Sequence, residues 1–179
     1  MRNKLDFYIY QSRKTGVPVA NTAHYFYAES AIAKGETNDC VVRAFASAFD
    51  ISYDEAHDFC RLKLGRKNGR GTQGTLQLLS GGEAFGRKVE QLGEPYPGVT
   101  KTPASTRLFT KYRNRDHWGN METTYRDMTV GTFLKRYTKG TYILRVHQHM
   151  FTVKDGVVYG NPQDAQQLRT RIIHAFQVK

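Results

Sequence analysis

The sequence predicts an α+β fold, in which N-terminal helices pack on an antiparallel sheet built from the C-terminal half. Two observations carry this. The segment TNDCVVRAFASAFD, residues 37–50, repeats apolar residues at three- and four-residue spacing, the period of a helix with a buried face. Beyond residue 140, TYILRV, HMFTV, DGVVYGN and RTRIIHAFQV are short and rich in β-branched and aromatic residues, so they read as four successive strands.

Taken in order, LDFYIY (5–10) has strand composition, and Gly16 and Pro18 turn the chain after it. The stretch 23–36, AHYFYAESAIAKGE, fits neither period cleanly and stops at Gly35. A helix then runs over about 38–49, with Thr37, Asn38 or Asp39 as its cap and Cys40 in its first turn. Ser52, followed by Glu55 three residues later, has the capping-box spacing and opens a second helix that continues through Cys60 to Gly65. A basic, loop-rich insertion occupies about 65–128. Its glycines flank a short helical segment, TLQLLS; Pro95, Pro97 and Pro103 follow, and then the basic-aromatic run RLFTKYRNRDHW. Thr129 caps VGTFLKRY, whose Lys135, Arg136 and Lys139 suit the negative end of a helix dipole, and Gly140 stops it. The sheet covers about 140–178, with Asp155-Gly156 as a hairpin turn.

A chain of 179 residues is the size of one domain. The expectation is therefore a single domain over 1–179. No apolar run approaches the roughly 18 residues of a membrane span, and Asp6 interrupts what would be the apolar core of a signal peptide. These features predict a cytoplasmic protein with no membrane partner. Two cysteines are too few for a disulfide framework and suit a reducing compartment.

Lysine and arginine number 27 against 16 aspartates and glutamates, a net charge of +11. The summed field attracts polyanions or acidic protein surfaces. Arg107, Lys111, Arg113 and Arg115, interleaved with aromatics and followed by Trp118, form a candidate surface for a substrate or an anionic partner, nucleic acid included. His24, His57, His117 and His174 are scattered, and none has zinc-ligand spacing with a cysteine. The glycines of GRKNGRGTQG lack the G-K-[ST] that closes a phosphate loop. Neither a metal nor a cofactor is expected.

Thiol chemistry is the sharper signal. The first turn of a helix offers free N–H groups and partial positive charge, both of which favour the thiolate of Cys40. A histidine from the later sheet can take its proton and return it to a leaving group, while a third side chain fixes the imidazole. His149 is the first choice for the base, with His147 two residues earlier as its rival. Asn161, at the end of VVYGN, is the first choice for the orienting residue and Asp164 the second.

These segments resemble the papain-like cysteine hydrolases. NDCVVRAFA is similar to their nucleophile helix, and GTYILRVHQHMFTVKDGVVYGN to their histidine strand, hairpin and Asn/Asp strand. The plan is similar to that of double-glycine leader peptidases, ubiquitin-like-protein proteases and small phage-encoded members of the clan. The resemblance covers roughly 37–49 and 129–161. It implies a papain-like fold in which Cys40, His149 and Asn161 cleave a peptide, isopeptide or side-chain amide through a thioester, in a host cytoplasm if the protein is phage-encoded. Lys34 stands where those peptidases carry an oxyanion glutamine, and Val41 where they carry glycine. Asn38, Thr37 or the Cys40 backbone N–H are the oxyanion candidates instead. A non-catalytic basic protein on the same scaffold, holding an acidic host protein or nucleic acid, is the competing expectation.

Overall fold

The computed structural model describes residues 5–179. Ten strands and six helices follow one another as β1 (Ile9–Gln11), β2 (Pro18–Asn21), α1 (Thr22–Glu29), α2 (Ala31–Gly35), α3 (Cys40–Phe49), α4 (Tyr53–Leu64), α5 (Thr75–Ser80), β3 (Glu83–Ala84), β4 (Arg87–Leu92), β5 (Phe109–Arg115), β6 (Met121–Asp127), α6 (Val130–Arg136), β7 (Thr141–Val146), β8 (His149–Lys154), β9 (Val157–Gly160) and β10 (His174–Val178). Among the described residues, no helix is long and apolar enough to cross a membrane.

The α+β expectation is met, but the sheet is mixed and larger than expected. Its eight strands lie in the order β1-β2-β9-β8-β7-β10-β4-β3. All pairs are antiparallel except β2 with β9, so the N-terminal β1–β2 hairpin enlarges a sheet whose centre comes from the C-terminal half. The expected first strand is displaced: it starts at Ile9, and Phe7 instead packs its ring against Tyr25, Phe26 and Tyr159.

Side chains alternate between the two sheet faces, and each face has its own core. Ile143, Met150 and Phe176 face α3 and α4, whereas Leu144, Val146, Phe151 and Val153 face α6 and Met128. α3 is the central helix. Nine of its ten residues are buried, the pattern of a helix enclosed on all sides. It lies along β8, where the Thr152 hydroxyl donates to the Ala44 carbonyl at 2.8 Å. A buried hydroxyl left without such a partner costs about 1–3 kcal/mol, so this bond helps fix how far α3 is advanced along the strand.

Local signals explain most element boundaries. Ser52 and Thr129 accept from the N–H groups of Glu55 and Thr132 as expected of caps. Asp155 and Gly156 take positive φ angles of 47° and 80°, the conformation a two-residue hairpin requires between Lys154 and Val157. A second two-residue turn has no signal in the sequence. His147 and Gln148 form it between the paired residues Val146 and His149, so His147 lies outside the strand and is exposed.

The insertion is also more ordered than its composition suggests. Arg87–Leu92 pairs with β10, while β5 and β6 form a separate two-stranded ribbon across RLFTKYRNRDHW and the residues after it.

Candidate active site

α3 begins where its sequence changes from polar to apolar, and this leaves Cys40 as its first residue, partly exposed at the open end of a buried helix. Asp39 occupies the cap position but bonds no helix amide. Its carboxylate accepts instead from Arg43 Nε at 2.9 Å and from the Tyr53 hydroxyl at 2.9 Å. The amides of the first turn therefore keep their hydrogen-bonding capacity, beside the Cys40 sulfur.

The loop before Cys40 is held from below by a buried ion cluster. Glu36 accepts from Arg66 at 2.6 Å, His57 at 3.0 Å and the Gly69 N–H at 2.9 Å. Burial pushes its carboxyl up, but the bonds from Gly69, His57 and Arg66 outweigh this and hold it below the usual carboxylate range. Arg66 also donates to the carbonyls of Thr37 and Asn38, and to that of Arg70. The same cluster thus ties the approach to Cys40 to the loop that leads into residues 71–77.

His149 opens β8 opposite Val146, on the sheet face away from α3. Standing at the end of the strand, its ring reaches residues on both sides. Nε2 meets Asp164 Oδ2 at 3.0 Å, and the ring shares the wall of one cleft with Cys40, whose ionisation it perturbs. The Met150 N–H acts on the thiol in the same direction.

The electrostatic result is a coupled pair. Burial alone would raise the Cys40 thiol, but the hydrogen bond and charge of His149, then the Met150 N–H and Arg43, bring it below the ordinary thiol value. Burial alone would lower His149, but Asp164 and Cys40 raise it to about 9. Both shifts run toward the thiolate–imidazolium form of the pair. Cys60 has no such neighbour. Buried in α4, it is pushed up to about 12.

Asp164, not Asn161, orients the imidazole. Asn161 Oδ1 instead accepts from Arg43 at 2.9 Å, while its backbone N–H donates to Asp164 Oδ2 at 2.7 Å. The turn 161–164 explains the exchange, because Asp164 folds back on Asn161 and brings its carboxylate under the ring. Gly160 permits this approach. A Cβ there would collide with the Asp164 carboxylate and come within 3.0 Å of Phe151 Cβ.

The proposed oxyanion side chains are likewise engaged elsewhere. The Thr37 hydroxyl and Asn38 amide both donate to the Gly69 carbonyl, at 3.4 and 3.2 Å, and so brace the loop. The amide side chains that line the cleft with Cys40 carry no signal in the sequence. Gln73 and Gln77 come from residues 71–77, and Gln148 from the β7–β8 turn, where it takes a φ of 52°. The cleft over Cys40 has a volume of about 470 Å³, and a second lobe of about 460 Å³ continues past Asn38, Arg43 and Asn161.

The remaining candidates are remote from this centre. Lys111, Arg113 and Arg115 are directly opposite Tyr125, Thr123 and Met121, so all three share one face of the ribbon. Trp118 is 78% exposed in the turn at its tip. Arg107 lies at the base, 3.5 Å from Asp127. No family model, curated protein or solved structure matches this chain.

Proposed function

We propose that the protein is a papain-like cysteine hydrolase that cleaves a peptide, isopeptide or side-chain amide. The observation that carries this reading is the meeting of Cys40, at the open N-terminus of α3, with His149 in one cleft, where Asp164 is hydrogen-bonded to the ring. The Cys40 thiolate attacks the carbonyl carbon of the bound amide, and the oxygen takes up negative charge beside the first-turn N–H groups. As the C–N bond breaks, the His149 imidazolium gives its proton to the departing amine, leaving a thioester on Cys40. His149, now neutral, takes a proton from water, which attacks the thioester and releases the acid and the thiol. Asp164 holds the ring through both transfers and balances its charge.

Labelling with iodoacetamide at pH 7 tests the nucleophile. At a pKa of about 12, only about one Cys60 in 10⁵ is a thiolate at that pH. Mass spectrometry is therefore expected to find modification at Cys40, with loss of most of it in His149→Ala. An activated ester such as p-nitrophenyl acetate is expected to give a burst of nitrophenol and an acetyl group on Cys40. Equal labelling of the two cysteines would overturn the reading.

A second reading draws on the β5–β6 ribbon, whose three cations on one face and exposed Trp118 suit an anionic partner, either an acidic protein or nucleic acid. In that reading the fold is a binding scaffold. Retention of biological effect in Cys40→Ala and His149→Ala, with its loss on charge reversal at Arg113 and Arg115, would favour it.

A further inference from the structure

Arg145 lies on β7, directly opposite Met150, on the sheet face that carries α3. This register brings it to the wall of the cleft over Cys40. It is partly buried, yet its guanidinium has no carboxylate within ion-pair distance and no hydrogen-bond acceptor among the described residues. The buried arginines of the same chain behave differently: Arg43 and Arg66 are each bonded to a carboxylate and to further oxygens. A guanidinium offers five donors in a planar fork that matches a carboxylate.

The surroundings reinforce the same polarity. Among the described residues, no aspartate or glutamate lines the lobe that holds Arg145, whose other ionisable wall groups are Cys40 and His149; Asp39 lines the adjoining lobe, where Arg43 neutralises it. Across β10, His174 is 4% exposed and is held below the usual imidazole range by burial, then by Arg107 and Arg145 nearby. Gln73, Gln77 and Gln148 add neutral amides that can bind a peptide backbone.

We infer that Arg145 is a specificity-determining residue that receives a carboxylate of the substrate next to the bond attacked by Cys40, so that the preferred substrates are acidic peptides. The inference rests on the hydrolase reading. It names the chemistry of the substrate class that the site selects.

Two alkylating reagents separate the two claims. Iodoacetate and iodoacetamide attack by the same displacement of iodide, but only the former carries a carboxylate. The rate ratio of iodoacetate to iodoacetamide at Cys40 therefore reports attraction of an anion and cancels changes in the thiolate itself. Removing one charge a few ångströms away in a partly solvated site is expected to lower that ratio about three- to tenfold in Arg145→Gln, with recovery in Arg145→Lys. Arg145→Glu should lower it further.

A ratio indifferent to all three variants overturns the inference while leaving the reactive thiol standing. A Cys40 inert to both reagents instead overturns the hydrolase reading. Arg145 is then judged by titrating the Cys40→Ser protein with succinate, where equal affinity in the Arg145→Gln background counts against the carboxylate site. The source of the carboxylate is read by protection of Cys40 from iodoacetamide. Acetylated tripeptides are compared that bear either a central glutamate with an amidated end or a central glutamine with a free end. Protection by one identifies the side chain or the terminus, and protection by neither overturns the peptide assignment.

Discussion

Cys40 and the β5–β6 ribbon both lie on a strongly basic chain, yet the two regions handle charge in opposite ways. Around Cys40, the groups His149, Asp164 and Arg43 are partly buried, converge from segments more than a hundred residues apart, and are each held by a defined partner. On the ribbon, Lys111, Arg113 and Arg115 are neighbours in sequence, exposed to solvent and spaced by strand geometry alone. The neighbours are what shift the protonation of Cys40 and His149, against the direction that burial alone would set. The ribbon cations, exposed to solvent, act through their summed field. One region is built to change the state of an atom, and the other to attract.

The largest expected effect breaks the comparison at its buried end. Asp164→Asn keeps the shape but allows the amide to face Nε2 with the wrong polarity, and hydrolysis should fall by about 10²- to 10⁴-fold. Asn161→Ala leaves the Asp164 carboxylate in position and should cost less than about tenfold. Steady-state kcat on any amide or ester that the wild type turns over measures both. The reverse order would restore Asn161 as the orienting residue. Gly160→Ala should resemble Asp164→Asn, since the added methyl displaces the same carboxylate.

What is legible in the sequence divides along the same line. The helix that begins at Cys40, the strand of His149 and the hairpin at Asp155-Gly156 rest on local periodicity and turn chemistry, and all three can be read directly. The choice between Asn161 and Asp164 cannot, because it depends on a turn that reverses over four residues after β9. Nor are Arg145 and Gln148 visible as cleft residues. Their placement follows from a two-residue turn at His147-Gln148, whose residue types carry no hairpin signature. Thr37 and Asn38 mislead for a related reason. Their nearness in sequence to Cys40 suggests a place beside its substrate, whereas the long-range Glu36–Arg66 cluster draws them toward Gly69. The ribbon is hidden because a strand with two solvated faces shows no apolar alternation.

A pH series sharpens the comparison with a smaller effect. Because the folded Cys40 titrates below the ordinary thiol value, its iodoacetamide rate should stay high to a lower pH than that of a free thiol and fall as the pH drops through that lowered value. The bond between His149 and Asp164 works in the other direction. His149 titrates near 9 when folded, against about 6.5 when unfolded. Its contribution to stability is therefore complete below about pH 6.5 and disappears as the pH rises through 9. Denaturant midpoints measured from pH 6 to 10 should decline in the wild type and decline less in His149→Ala. Parallel curves would mean that the pair does not form.

The smallest effect on the folded molecule is expected at the ribbon, and it tests whether attraction is truly separate from chemistry. Reversing Lys111, Arg113 and Arg115 to glutamate should shift the unfolding midpoint little, since exposed substitutions away from buried partners usually cost within about 0.5 kcal/mol each. Binding to single-stranded oligonucleotide should respond strongly, with the slope of log affinity against log salt reduced by about three, one for each phosphate that the variant no longer neutralises. Trp118→Ala should weaken binding by about 1–3 kcal/mol and leave that slope unchanged, because stacking releases no counterions. An acidic protein as the true partner predicts a weaker salt slope and no oligonucleotide binding. If instead the triple reversal slowed iodoacetamide attack at Cys40, the ribbon's field would extend to the thiolate, and the two regions would have to be treated as one electrostatic unit.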